Sequence, residues 1–80
     1  MPRVEAVNGQ TIDPSAGWFS AQELAGLPGM PASDSAVMRA AKKFLWVNRR
    51  KLRGKGIEYA ITALPTLTRD YLSRLAHDLI

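Results

Sequence analysis

The sequence predicts a small, mainly helical α+β domain, and three observations carry that expectation. Two short helical segments flank a turn rich in glycine and proline. A glycine-containing basic stretch then leads into residues that alternate apolar and polar. A stripe of leucines at helical spacing occupies the C-terminal end. Eighty residues suffice for one domain with a limited core. The chain has no cysteine and one histidine, so neither disulfides nor a thiolate zinc site can brace it, and stability must come from side-chain burial. Its apolar fraction, 46%, is that of a folded globular domain rather than a disordered one.

Residues 1–17 read as a flexible N-terminal tail, because Asn8-Gly9 is a turn signal and Asp13-Pro14-Ser15-Ala16-Gly17 has loop composition. Trp18-Phe19-Ser20 opens the folded part. Ser20 and Glu23 have the spacing of a capping box, and Phe19 and Leu24 that of a hydrophobic staple, which predicts a first helix over Ala21–Ala25. Gly26 and Pro28 end it. The following Gly26-Leu27-Pro28-Gly29-Met30-Pro31 is a stiff turn from which Leu27 and Met30 are expected to dip into the core. Ser33 or Asp34 caps a second helix over Asp34–Leu45. Its phase puts Val37, Ala40, Ala41 and Phe44 on one face, with Ser35, Met38, Arg39, Lys42 and Lys43 on or beside the other.

Residues 46–52 and 57–62 read as two strands joined through Arg53-Gly54-Lys55-Gly56, whose glycines permit a tight hairpin. In the second strand Ile57, Tyr59 and Ile61 alternate with Glu58, Ala60 and Thr62. Leu64-Pro65 stops it, and a third helix follows Thr66 or Thr68 and runs to near Leu79, with Leu67, Tyr71, Leu72, Leu75 and Leu79 as its apolar stripe. This helix packs on the domain or starts a linker. Helix, turn, basic-faced helix and basic hairpin together spell a winged helix-turn-helix. The expected organisation is a tail over 1–17, a winged domain over 18–65 and a C-terminal helix over 66–80.

Net charge is +4, but its distribution says more than its size. No acidic residue lies between Asp34 and Glu58, and that window holds Arg39, Lys42, Lys43, Arg49, Arg50, Lys51, Arg53 and Lys55, eight of the eleven basic residues. A polarised cationic surface suits a polyanion such as nucleic acid; the bland alternative is a solvated basic face. No amphipathic helix rich in Trp and Leu carries the charges, which argues against a membrane surface. The first residues lack the apolar core of a secretory signal, and no stretch is apolar for the length of a bilayer span, so the expected location is cytoplasmic. No phosphate loop, nucleophile–base set or metal constellation is legible, so the expectation is a non-catalytic domain with no cofactor and no small-molecule substrate.

The central stretch, about Trp18 to Pro65, resembles the Mu-type DNA-binding domain of phage transposases and of the Mu repressor. The resemblance rests on Trp18-Phe19-Ser20-Ala21-Gln22-Glu23-Leu24-Ala25, Leu27-Pro28-Gly29-Met30-Pro31, Val37 through Trp46, and Gly56-Ile57-Glu58-Tyr59 with Leu64-Pro65. It implies a winged helix-turn-helix with a long turn over Gly26–Ala32, a recognition helix over Asp34–Leu45 and a wing over Lys51–Gly56. It further implies binding to double-stranded operator or enhancer DNA, in a transposase that assembles a transposition complex or in a phage repressor, inside a bacterial host. The run Ala41-Lys42-Lys43 through Trp46, with Asn48-Arg49, looks more like the transposase version. The wing is shorter than in phage Mu itself. Two residues depart from the family pattern: Ala36 and Leu45 stand where glycine is usual, and Leu45 lets the second helix run longer.

Candidate contacts follow from both readings. Arg39 and Lys42 lead on the recognition helix, Arg able to donate twice to guanine and Lys to act as a point charge on phosphate. Ser33 and Ser35 lie near the helix N-terminus, although Ser33 serves equally well as a simple cap. Met38 shares the outward face and Lys43 is more lateral. Arg49, Arg50, Lys51, Arg53 and Lys55 are the wing candidates, Arg53 and Lys55 at its tip; alternate strand residues point opposite ways, so only some can touch one ligand. Trp18, Phe44, Trp46 and Tyr59 are assigned to the core, and His77 to surface or packing. A protein-interaction module is the competing class, and oligomerisation through other parts of a parent protein would add avidity.

Overall fold

The computed structural model describes residues 3–51, 54 and 56–79. Strands β1 (Val4–Glu5) and β2 (Thr11–Ile12) form a small antiparallel hairpin. Strand β3 (Trp18–Ser20) leads directly into helix α1 (Ala21–Leu24), and helix α2 (Asp34–Lys43) follows the turn. Strands β4 (Asn48–Arg50) and β5 (Ile57–Ala60) form the wing hairpin. A 3-10 turn (Ile61–Ala63) then feeds helix α3 (Thr66–Asp78). The second sheet has the order β3-β5-β4, all antiparallel. This is a winged helix-turn-helix with an additional hairpin at its N-terminal end.

Residues 3–17 are therefore not the tail that their composition suggests. The Ala6 amide donates to the Gln10 carbonyl at 2.8 Å, and Gly9 takes the left-handed conformation (φ +83°) that the turn requires. Ala6 and Ile12 are buried in the main core. The Asn8 carboxamide reaches α1, donating to the carbonyls of Glu23 (2.9 Å) and Ala25 (2.7 Å). Those are the C-terminal carbonyls that a four-residue helix cannot satisfy within itself. The Val7 amide donates to the Tyr71 hydroxyl at 2.9 Å, tying the hairpin to α3 as well. A loop-like composition thus conceals a brace held by contacts distant in sequence.

The caps form as their spacing predicts. The Ser20 hydroxyl accepts from the Glu23 amide (3.2 Å) while the Glu23 carboxylate accepts from the Ser20 amide (2.9 Å). The Ser33 hydroxyl accepts from the Ala36 amide. Phe19, Leu24, Leu27, Val37 and Leu72 are fully or almost fully buried and, with Ile12, make the centre of the core. The turn between α1 and α2 is clamped to α3: the Thr68 hydroxyl, fully buried, donates to the Pro28 carbonyl at 2.7 Å. Gly29 (φ +81°) lies so close to α3 that an added Cβ would sit 2.9 Å from Leu67 Cβ.

Several boundaries differ from the expectation, each for a local reason. Helix α2 stops at Lys43 rather than reaching Leu45, because Leu45 adopts φ +54° and the Trp46 amide folds back to the Ala41 carbonyl at 3.0 Å. That bond belongs to a left-handed helix stop, the geometry for which glycine is the usual residue. The change of direction turns Phe44 out to 64% exposure, so it is not a core residue, and Lys43 Nζ lies over its ring at 5.5 Å. Trp18 is half-buried on the outer face of the sheet instead of central. Strand β4 is shorter than expected, and β5 gives way after Ala60 to the 3-10 turn, so that Ala60 rather than Ile61 is buried. Leu67 is exposed, and Thr68 takes its place at the inward position of α3.

Candidate nucleic-acid interface

Helix α2 presents two contrasting faces. Val37 and Ala41 face the core. Ser35, Met38, Arg39 and Lys42, at the i, i+3, i+4 and i+7 positions, are all exposed and form one outward stripe. Lys42 and Lys43 occupy the last turn, where cations complement the helix dipole. Ser33 is exposed, but its hydroxyl is engaged as the N-cap. Ser35 donates its amide to the Asp34 carboxylate at 2.8 Å.

The wing sorts its cations by strand alternation. Asn48 pairs with Tyr59 and Arg49 with Glu58, while on the far side of β5 Phe19 pairs with Tyr59 and Ser20 with Glu58. Phe19 and Tyr59 are buried, so Asn48 and Tyr59 belong to the core-facing side and Arg49, Glu58 and Trp18 to the other. Arg49 is already occupied there: its Nε lies 3.3 Å from the Glu58 carboxylate and its guanidinium stacks 4.2 Å from the Trp18 ring centre. This is the one salt bridge among the described residues; Arg39, Lys42, Lys43, Arg50 and Lys51 have no acidic partner among them. The Lys51 amide closes the hairpin by donating to the Gly56 carbonyl at 3.2 Å, and Gly54 (φ +81°) and Gly56 (φ +119°) supply the left-handed residues at the tip. Arg53 and Lys55 lie outside the described residues.

The outward stripe of α2 continues into the wing through a groove. Ala41, Trp46 and Tyr59 form its floor, while Met38, Lys42, Leu45, Asn48 and Ile57 make its rim. Trp46 and Tyr59 meet edge to face, ring centres 5.9 Å apart. Burial raises the Tyr59 phenol above the ordinary tyrosine value, because the charged form is disfavoured away from water. Asn48 is held by a bond from its carboxamide to the Trp46 carbonyl at 3.1 Å. Sequence reasoning missed Leu45, Asn48 and Ile57 as members of this surface. Leu45 read as continued helix, and Ile57 as the inward side of a strand; only the turn at φ +54° and the observed sheet register place them at the groove.

No group of three or more His, Cys, Asp or Glu close enough to hold a metal occurs among the described residues, and none of their helices is long and apolar enough to cross a membrane.

Comparison with known proteins fits this geometry. The solved DNA-binding domain of Mu transposase, described as a novel class of winged helix-turn-helix, superposes with a TM-score of 0.61 at 40% identity, covering 72% of this chain and 82% of that domain. The repressor c protein of Escherichia phage D108 is 44% identical over 54 residues, 65% of this chain and 31% of the repressor. The chain therefore spans about a third of that relative's length. The profile of the Mu DNA-binding domain family matches residues 22–78, from the first turn of α1 to the end of α3. With most of its length covered by that match, and with the helix-turn-helix and wing in place, the chain belongs to the Mu DNA-binding domain family.

Proposed function

We propose that this domain recognises a specific double-stranded DNA site of the operator or enhancer type, with α2 and the base of the wing at the major groove and the wing tip against the adjoining backbone and minor groove. The observation that carries the proposal is the stripe of Ser35, Met38, Arg39 and Lys42. It is exposed, its cations have no acidic partner among the described residues, and it is continuous with the wing. Arg39 is the base-reading candidate and Lys42 and Lys43 contact phosphate or guanine. Arg50 and Lys51, with Arg53 and Lys55, supply the wing contacts. Arg49 acts through Glu58 and Trp18 to hold the wing rather than by touching DNA. Ser33 caps the helix and contributes at most through its position at the dipole.

In this reading the chain is the targeting domain of a Mu-like transposase, non-catalytic itself, acting in the cytoplasm of a bacterial host. The similarity to a phage repressor supports a second parent, one that silences transcription from the same kind of site. The full reading frame separates the two, since a transposase parent carries a carboxylate-bearing nuclease domain after this one. The direct test is an NMR titration of the chain with duplexes selected from a random pool. Shifts on the α2 stripe, Asn48 and the wing, with little change at Trp18, are expected. Shifts confined to α3, or no binding at moderate salt, would overturn the reading and favour a protein-docking role.

A further inference from the structure

The groove between α2 and the wing has a composition that phosphate binding does not explain. Three large apolar side chains at its rim stand in solvent: Leu45 at 85% exposure, Met38 at 46% and Ile57 at 47%. They line the groove together with Lys42 and Asn48 and with the buried Trp46 and Tyr59. Leu45 carries two costs at once. Its side chain is hydrated, and its backbone holds φ +54°, a conformation that glycine adopts without penalty. Neither cost is offset by burial in the core. A strained and exposed residue beside a binding surface points to use in the bound state.

We propose that this groove receives the 5-methyl groups of thymine, with Met38, Leu45 and Ile57 as the apolar contacts that make the domain prefer thymine at the positions beneath them. The inference rests on the reading that α2 enters the major groove. The choice of occupant follows from chemistry. The base edges of the major groove present hydrogen-bond donors and acceptors and a single apolar group, the thymine methyl. An apolar rim interrupted by a lysine and an asparagine matches that mixture: Lys42 and Asn48 meet polar edges or phosphate while the rim covers methyl groups. A second protein copy would also cover apolar surface, but Lys42, Arg39 and Lys43, all exposed beside it, would then face their own counterparts.

The test uses the duplex that the wild-type chain selects from a random pool, with its thymines replaced one at a time by uracil, which lacks only the methyl. Affinity is expected to fall about fourfold for each methyl covered. Met38→Gln and Ile57→Thr, and separately Leu45→Gly, are expected to bind the thymine and uracil duplexes alike at the corresponding positions while keeping the salt dependence of the wild type. Thermal unfolding of each variant establishes that it is folded. Wild-type binding that is indifferent to every uracil, or a selected site with no thymine, overturns the inference and leaves DNA recognition by α2 intact. Failure to select or bind any duplex overturns the DNA-binding reading itself. Self-association of the wild type that Leu45→Gly abolishes overturns the inference in favour of a second copy.

Discussion

Replacing Leu45 by glycine should make the domain more stable. At φ +54° a leucine places its Cβ against the following carbonyl, at a cost of about 1–2 kcal/mol. Glycine removes that strain but gives the unfolded chain more freedom, which returns about 0.4–1 kcal/mol. The lost side chain is 85% exposed, so little burial is forfeited. The stop itself stays, because the Trp46 amide still bonds to the Ala41 carbonyl. The balance is a gain of about 0.8 kcal/mol. For a domain of this size that corresponds to a rise in Tm of roughly 3–6 °C. Differential scanning calorimetry or urea unfolding of wild type and Leu45→Gly reads it directly. Leu45→Ala provides the control: it removes the same side chain but keeps the strain, so its Tm should stay near the wild type. A Tm for Leu45→Gly at or below that of Leu45→Ala would refute the strain argument, and a Tm for Leu45→Ala well below wild type would show that the leucine side chain stabilises the fold.

Asn8→Ala leaves the Glu23 and Ala25 carbonyls without their carboxamide partner and should lower stability by about 1–3 kcal/mol, measurable in urea; a change within error would show that water caps α1 equally well. Gly29→Ala forces a Cβ to 2.9 Å from Leu67 Cβ and 3.0 Å from the Thr68 hydroxyl at φ +81°, and should cost upwards of about 2 kcal/mol, with loss of α3 amide protection in hydrogen exchange. Arg39→Ala should weaken binding by about 1–3 kcal/mol and relax base preference, whereas Lys55→Ala should weaken all sequences alike and flatten the salt dependence; anisotropy titrations over several salt concentrations distinguish them. The Ser15 hydroxyl hydrogen bond, with the Ser15 amide and nearby Arg3, holds the Asp13 carboxyl below its ordinary value. A depressed folded value contributes stability above the unfolded value of about 3.9, lost as pH falls through the folded one, so Ser15→Ala should raise the pH of acid unfolding.

What could be read from the sequence is what is decided locally. Ser20 and Glu23 are three residues apart and settle their capping box between themselves, as Ser33 does with Ala36. Helical phase suffices to turn Arg39 and Lys42 away from Val37. The hidden parts depend on partners far along the chain. Strand β3 exists because Trp18–Ser20 finds β5 some forty residues later, and three residues give no alternation to detect. The β1–β2 hairpin is held through Asn8 to α1 and through Val7 to Tyr71, sixty-four residues away. Phe44 followed the helical phase on paper but left it in space, because the chain reverses at a leucine where the pattern asks for glycine. Arg49 read as a wing cation like its neighbours; its pairing with Glu58 becomes visible only once the register is known.

The clamp between the helix-turn-helix turn and α3 bears on how binding free energy is spent. Thr68 and Gly29 fasten the segment between α1 and α2 at its midpoint, and Asn8 fastens the end of α1. The entropy of ordering a long turn is therefore charged to folding and not to complex formation. If α2 reads the duplex as proposed, it arrives preorganised, and the cost of association falls mainly on overall translation, rotation and exposed side-chain rotamers. Loosening the clamp without unfolding the domain should then show itself as a slower capture of DNA, because fewer encounters would find the helix in its docking orientation.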